Sequence, residues 1–349
     1  MKKILIANIF GIGDVLFTTP LITNLKEGIK NVSVDYLCNA RTKDIVENDP
    51  DVNEVLVYEK DFYRELWRRS RIRCLQSLLE LFMRIRRNRY DAVFDFTLSR
   101  KFGFVFMLAG IRRRIGLNYR RRGIFLTDKT PFDGFKARHV VEYYLDLLGR
   151  MNVPVREKKL RLVAGTAKKN PPARSPKLVA IIPGGGASWG RHASRKRWNA
   201  KGFSVVGDIL VEKGYEVIIV GDASEKALCA GVAENMKKTP GARRNDLSLV
   251  DYMALLAECE LVLCNDGGPL HMAVALGTKT VSIFGPVDEA VYGPYPLSQR
   301  HKVVKAGAVS CRPCYDRFKL PECRHGGRCL TEIDPASVAD ACLSLLDPK

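Results

Sequence analysis

No run of 18 or more apolar residues occurs in the 349-residue chain, so no membrane-spanning helix is expected. No small-residue cleavage site follows the first apolar segment, MKKILIANIFGIGDVLF, and Gly11, Gly13 and Asp14 interrupt it. The segment therefore reads as a first strand rather than a signal peptide, and the protein is expected in the cytoplasm. The glycine turn that follows lacks the third glycine of a dinucleotide fingerprint, which weakens a nicotinamide reading. It also lacks the Gly-Lys-Ser/Thr of a P-loop. Acidic residues are scarce: 38 stand against 57 Lys and Arg, for a net charge of +19. The excess is spread evenly, with 28 basic against 18 acidic residues in 1–150 and 29 against 20 in the rest. Such a chain favours phosphates, nucleic acid or an acidic membrane surface. No RNA- or DNA-binding module appears, which disfavours nucleic acid.

What is present fits two domains. The length exceeds one ordinary core, and 46% hydrophobic residues suffice for two. Short apolar runs at 2–10, 32–37, 54–58 and 91–96 read as buried parallel strands. The first helix is expected to run from Val15 to Gly28. The stretch 164–177, AGTAKKNPPARSPK, has no periodicity and reads as a linker. The expected division is 1–165, a linker at 166–177, and 178–349. After the linker the strand–helix alternation restarts, with strands at 178–182, 215–220, 260–264 and 279–284. Helices are expected at 200–213, 224–236, 251–257, 269–276 and 335–346. The fold class is α/β, two doubly wound Rossmann-like halves.

Residues 64–89 carry nine arginines against Glu65 and Glu80, with an apolar stripe at helical spacing. They read either as a core-packed helix or as a basic amphipathic face for anionic lipid.

Several turns carry candidate chemistry. Asp14 sits where the first strand meets its helix, as a general base or as a helix N-cap. Gly184–Gly186 end a strand at the equivalent place in the second half, before Arg191, Arg195, Lys196, Arg197 and Trp198. Glycine-turn N–H groups with several cations make a phosphate site. Asp266-Gly267-Gly268-Pro269-Leu270-His271 runs from a strand into a helix whose first turn suits a diphosphate. His271, next to that turn, is expected to touch the ligand. Glu225 follows another strand, as a ribose ligand or as a first-turn acid.

Ten cysteines are many for a cytoplasmic chain. Cys38, Cys74, Cys229, Cys259, Cys264 and Cys342 lie singly in apolar segments and are expected as buried free thiols. Cys311, Cys314, Cys323 and Cys329 cluster in a tail at 311–329. They read as a structural zinc site, as redox-sensitive thiols or as inert cysteines.

Together, KILIANIFGIGDVLFTTPLITNLK, PGGGASWGRHASRKRW, VIIVGDASE and LVLCNDGGPLHMAVALGTKTVSIFGP resemble the ADP-heptose:lipopolysaccharide heptosyltransferases, glycosyltransferase family 9. The likeness runs through nearly the whole chain, in order. It implies a GT-B fold, two Rossmann-like domains facing a central cleft. It implies an inverting transferase that needs no metal, with a nucleotide-sugar on the second domain. The acceptor, an anionic lipopolysaccharide precursor at the cytoplasmic face of the inner membrane, would meet the first. By the same resemblance Asp14 is the general base and Lys196 stabilises the diphosphate leaving group. Asp266 lies near the donor sugar, Gly267, Gly268, Leu270 and His271 line the diphosphate, Glu225 meets the ribose, and Gly184 and Gly185 also belong to the donor site. Arg68, Arg69, Arg71, Arg113 and Arg120 form the acceptor and membrane face. The turn at Gly267–Leu270 departs from the Thr-Gly-Leu-Ser of well-known heptosyltransferases, which bears on the donor sugar. The alternative is a GT-B enzyme with another nucleotide-sugar, either a transferase to another glycan or a sugar-nucleotide epimerase.

Overall fold

The computed structural model describes residues 2–164, 175–185, 187–238, 240–307 and 309–347. The expected linker residues 166–174, and Gly186, lie outside them; residues 175–177 belong to a strand. The chain forms two compact units, Met1–Phe135 with Val140–Lys159, and Lys136–His139 with Leu160–Lys349.

The first unit is built on six parallel strands: β1 (Lys2–Ala7), β2 (Val32–Cys38), β3 (Val52–Val57), β4 (Ala92–Asp95), β5 (Arg113–Tyr119) and β6 (Asp128–Phe132). Their order is β3-β2-β1-β4-β5-β6. Ile4, Leu5 and Ile6 of β1 are fully buried, as a central strand covered on both faces requires. The expected strands are present, but β5 and β6 were not anticipated. Arg113 and Arg114 disguise β5 as a charge run, and Pro131 disguises β6, which is tolerated because β6 is an edge strand.

The first helix is also two helices, Ile12–Leu16 and Thr19–Gly28. Pro20 stands at the start of the second, the position where a missing N–H is harmless. Thr18 Oγ1 and Thr19 Oγ1 donate to the carbonyls of Val15 and Leu16, closing the first helix early. The arginine-rich stretch is likewise two helices, Lys60–Arg69 and Arg71–Arg87. Ser70 breaks them with an extended backbone, and its Oγ accepts the Arg73 N–H at 3.3 Å.

The second unit repeats the plan with β7 (Ser175–Ile182), β8 (Glu216–Val220), β9 (Ala242–Arg244), β10 (Cys259–Asn265), β11 (Lys279–Phe284) and β12 (His301–Lys305). The order is β12-β11-β10-β7-β8-β9, again parallel. The edge strands β9 and β12 went unread because an edge needs little apolar sequence. Val179, Ile181, Leu261, Leu263, Val281 and Ile283 form the core under helices Ala200–Glu212 and Pro335–Leu346. Lys136–His139 pack with this unit: the His139 ring stacks on Tyr295 at 4.5 Å and its Nε2 lies 3.1 Å from the Gly293 carbonyl. The six cysteines expected as buried free thiols are buried and free.

In each sheet the connections run outward from the two central strands. The switch points therefore lie between β1 and β4, and between β10 and β7. In doubly wound sheets ligands bind outside the carboxyl ends of the strands at such points.

Candidate active site

At the β10–β7 switch point the segments singled out in the sequence converge. β7 leads into Pro183-Gly184-Gly185, and β10, whose last residue is Asn265, leads into Asp266. Asn265 is 2% exposed and joins three segments. Its Nδ2 donates to the carbonyls of Pro183 and Gly184 at 2.8 and 3.0 Å, and its Oδ1 accepts the Trp198 N–H at 2.9 Å. The sequence reading missed this role. The only signal is a polar residue ending an otherwise apolar strand.

The Trp198 anchor fixes the residues just before it. Lys196 Nζ lies 2.5 Å from Asp266 Oδ2, with both side chains nearly buried. The same ammonium sits 4.3 Å above the Trp189 ring. Arg197 donates to the Gly185 carbonyl at 2.9 Å and pairs with Glu225 Oε1 at 3.1 Å. Arg195 turns away, donating to the Pro321 carbonyl at 2.6 Å. The Arg191 side chain lies outside what is described. The expected cluster of cations thus divides, with Lys196 and Arg197 serving the turn.

Glu225 is buried against that turn. Oε1 accepts the Gly185 N–H at 2.7 Å, and Oε2 accepts the Asp222 N–H at 3.2 Å. A Cβ at Gly184 would lie 2.1 Å from the Glu225 carboxyl, so no larger residue fits there. Gly185 has φ +106°, a conformation suited to glycine. With three donors on its four acceptor positions, Glu225 first holds the turn and keeps one Oε2 lone pair.

The helix Gly268–Ala275 starts directly after Asp266, with Pro269 in its first turn. Gly267, Gly268 and Pro269 are half-exposed. Leu270 is fully buried, so it offers only its backbone. His271 is 4% exposed. Burial, then His139 and Lys196, hold its pKa well below the usual histidine value, so it is neutral at physiological pH.

At the β1–β4 switch point the turn after β1 carries Asp14. Gly11 is the N-cap and Asp14 the third helical residue, so the N-cap reading is corrected. Its Oδ2 still accepts the Gly11 N–H at 3.2 Å. Asn8, fully buried, donates to the Asp14 carbonyl at 2.9 Å and accepts the Phe10 N–H at 3.2 Å. Asp14 itself is half-exposed. A fixed backbone thus presents a partly solvated carboxylate.

Asp95, at the end of β4, was not anticipated. Its Oδ1 accepts the backbone N–H and hydroxyl of Thr97 at 2.9 and 2.6 Å. Burial raises its pKa from the ordinary 3.8 to about 6, against the lowering effect of those bonds. The folded state therefore holds the proton more tightly than the unfolded one. The contribution of Asp95 to stability is therefore greatest below pH 4 and is lost as pH rises towards 6, by about 3 kcal/mol in all. Asp95→Asn is expected to raise the melting temperature at pH 7.5 and leave it unchanged at pH 4, as read by calorimetry. Equal effects at both pH values would contradict this.

The arginines expected on the acceptor face differ in surroundings. Arg113 pairs with Asp128 at 2.7 Å, pinning β5 to β6. Arg120 is exposed, 5.0 Å over the Tyr119 ring. Arg68 is exposed, Arg69 pairs with Glu65 one turn earlier, and Arg71 lies 5.6 Å over the Trp67 ring.

Cys311, Cys314, Cys323 and Cys329 line one pocket with Arg195, Arg312 and other residues. Cys323 is exposed, and its Sγ accepts the Gly327 N–H at 3.3 Å; Cys329 is buried. Among the described residues no group of three or more His, Cys, Asp or Glu is placed to hold a metal ion. A structural zinc, one of the three readings of this tail, is therefore not shown.

The sequence model of glycosyltransferase family 9 (heptosyltransferase) matches residues 78–325. The chain belongs to this family. The chain is 24% identical over 295 residues to lipopolysaccharide heptosyltransferase 3 of Escherichia coli, covering 81% of this chain and 83% of that relative. Among solved structures it resembles the E. coli ADP-heptose lipopolysaccharide heptosyltransferase II, with TM-score 0.73, 22% identity, and 99% and 98% of the two chains covered. It also resembles E. coli heptosyltransferase WaaC with ADP-2-deoxy-2-fluoro heptose, with TM-score 0.70, 19% identity, and 87% and 93% covered. This glycosyltransferase therefore has a GT-B-like structure of two parallel six-stranded α/β sheets.

Proposed function

We propose that this family 9 glycosyltransferase moves heptose from ADP-heptose to the inner core of a lipopolysaccharide precursor, with inversion and without a metal. The observation that carries the donor half is the buried Lys196–Asp266 pair beside the Gly184–Gly185 turn and the start of helix Gly268–Ala275. It joins a cation, a helix N-terminus and a carboxylate at one switch point. The likeness to a transferase solved with an ADP-heptose analogue supports the donor class.

In this reading the second domain, taken as 178–349, holds the donor. Glu225 meets the ribose through its remaining lone pair, and Asp266 meets the sugar hydroxyls. Gly267, Gly268, the Leu270 backbone and neutral His271 border the diphosphate. The first domain, taken as 1–165, holds the acceptor through Arg68, Arg69, Arg71, Arg113 and Arg120. The acceptor hydroxyl attacks the anomeric carbon, Asp14 takes its proton, and the bond to ADP breaks. Lys196 and the helix N-terminus stabilise the charge that develops on the departing diphosphate. Anionic acceptor and basic protein match, and the reaction places the enzyme at the cytoplasmic surface of the inner membrane.

A thermal-shift series with nucleotide-sugars tests the donor. ADP-heptose is expected to raise the melting temperature more than UDP-, GDP- or dTDP-sugars at equal concentration. A larger shift with a uridine sugar would favour a GT-B enzyme with another donor.

A further inference from the structure

The surface of the first unit carries a feature that neither switch point uses. Helix Lys60–Arg69 buries no residue, and helix Arg71–Arg87 buries only Cys74 and Ile85. The longer helix has two apolar stripes. Cys74, Leu78, Leu81 and Ile85 recur at helical spacing and face the core, where Leu81 and Ile85 pack. Ile72, Leu75 and Leu79 form a second stripe that stands in water, 71%, 57% and 57% exposed. On the neighbouring helix Phe62 and Trp67 are 52% and 46% exposed. A helix packed on one core needs one apolar stripe, and among the described residues the second has no partner.

Its charge identifies the partner. Residues 60–89 hold ten Lys and Arg against Asp61, Glu65 and Glu80, a net +7. A second copy of the chain would set +7 against +7 across the stripe. An anionic bilayer instead offers phosphates to the arginines and hydrocarbon to the stripe, the pairing that holds amphipathic helices in a membrane interface.

We propose that the helical hairpin Lys60–Arg87 seats in the headgroup layer of an anionic phospholipid membrane, with Ile72, Leu75 and Leu79 entering the acyl boundary. It deepens the reading of a lipid-linked acceptor by naming the surface that docks. It differs from a purely electrostatic basic face, because insertion of the stripe resists salt.

The test is co-sedimentation of the full chain with phosphatidylglycerol/phosphatidylethanolamine vesicles, at about 0.1 M and about 0.5 M salt. Phosphatidylcholine vesicles serve as the control. Wild type is expected to bind the anionic vesicles at both salt concentrations. Brominated acyl chains are expected to quench its tryptophan emission, and Trp67→Phe to remove that quenching. The triple variant Ile72→Ser/Leu75→Ser/Leu79→Ser is expected to bind roughly 10- to 100-fold more weakly at low salt and not at all at high salt. Its circular dichroism and its transfer to a water-soluble acceptor should be unchanged. Arg68→Glu/Arg69→Glu/Arg71→Glu is expected to weaken binding most at low salt. Wild-type binding abolished by salt and unaltered in the serine variant would overturn the proposal. So would a dimer that the serine substitutions dissolve, without vesicle binding. Failure of the transferase reading would look different, as vesicle binding without transfer.

Discussion

Lys196→Met is expected to destabilise the enzyme by about 3–5 kcal/mol, measured by denaturant unfolding of the second unit's transition. The reason is the company Lys196 keeps. Its ammonium lies 2.5 Å from Asp266 Oδ2, and neither side chain has enough water to compensate the loss of the other. Removing one member of a buried ion pair leaves an uncompensated charge. The double variant Lys196→Met/Asp266→Asn removes both charges and should recover most of the loss, giving a large coupling energy. On the proposed mechanism transfer should fall about 100- to 1,000-fold in both variants, because the double variant restores the fold but not the cation assigned to the leaving group. Stability and activity therefore separate. A double variant that regained transfer with its stability would make the pair structural only.

The second large effect is at Asp14. Asp14→Asn should lower kcat by about 100- to 10,000-fold while ADP-heptose affinity stays within about twofold. Asparagine suits the test because its side-chain carbonyl still accepts the Gly11 N–H that Asp14 Oδ2 takes at 3.2 Å. The turn, also tied through Asn8, should keep its shape. A fall in donor affinity equal to the fall in kcat would reassign Asp14 to binding. Full activity in the variant would remove the general-base role.

Much of this was legible in the sequence because central strands in a covered sheet must be continuously apolar. β1, β2, β7, β10 and β11 announce themselves that way, and the turns after them gave Asp14, Gly184, Gly185 and Asp266. The edge strands β6, β9 and β12 did not, since half of each faces water and polar residues are tolerated. Helix breaks were hidden for a local reason: Thr18, Pro20 and Ser70 act through hydrogen bonds and a missing N–H, which apolar periodicity does not register. The polar framework of the sites was the least legible part. Asn8, Asn265 and Asp95 are single polar residues at strand ends, and only three-dimensional neighbours show which of them bridges segments. Glu225 was read as ribose ligand or first-turn acid. The fold gives it a prior duty under Gly184, which sequence spacing of some forty residues conceals. In the cysteine tail, spacing alone left zinc, redox-sensitive thiols and inert cysteines open; the fold brings the four to one pocket, without a group placed to hold a metal among the described residues.

Heptosyl transfer is tested most directly by mass spectrometry of a truncated lipopolysaccharide acceptor after incubation with ADP-heptose. The wild-type enzyme is predicted to add one heptose residue and release ADP without added metal, and Asp14→Asn to leave the acceptor mass unchanged. An unmodified acceptor with wild type, or equal modification by the variant, would contradict the account.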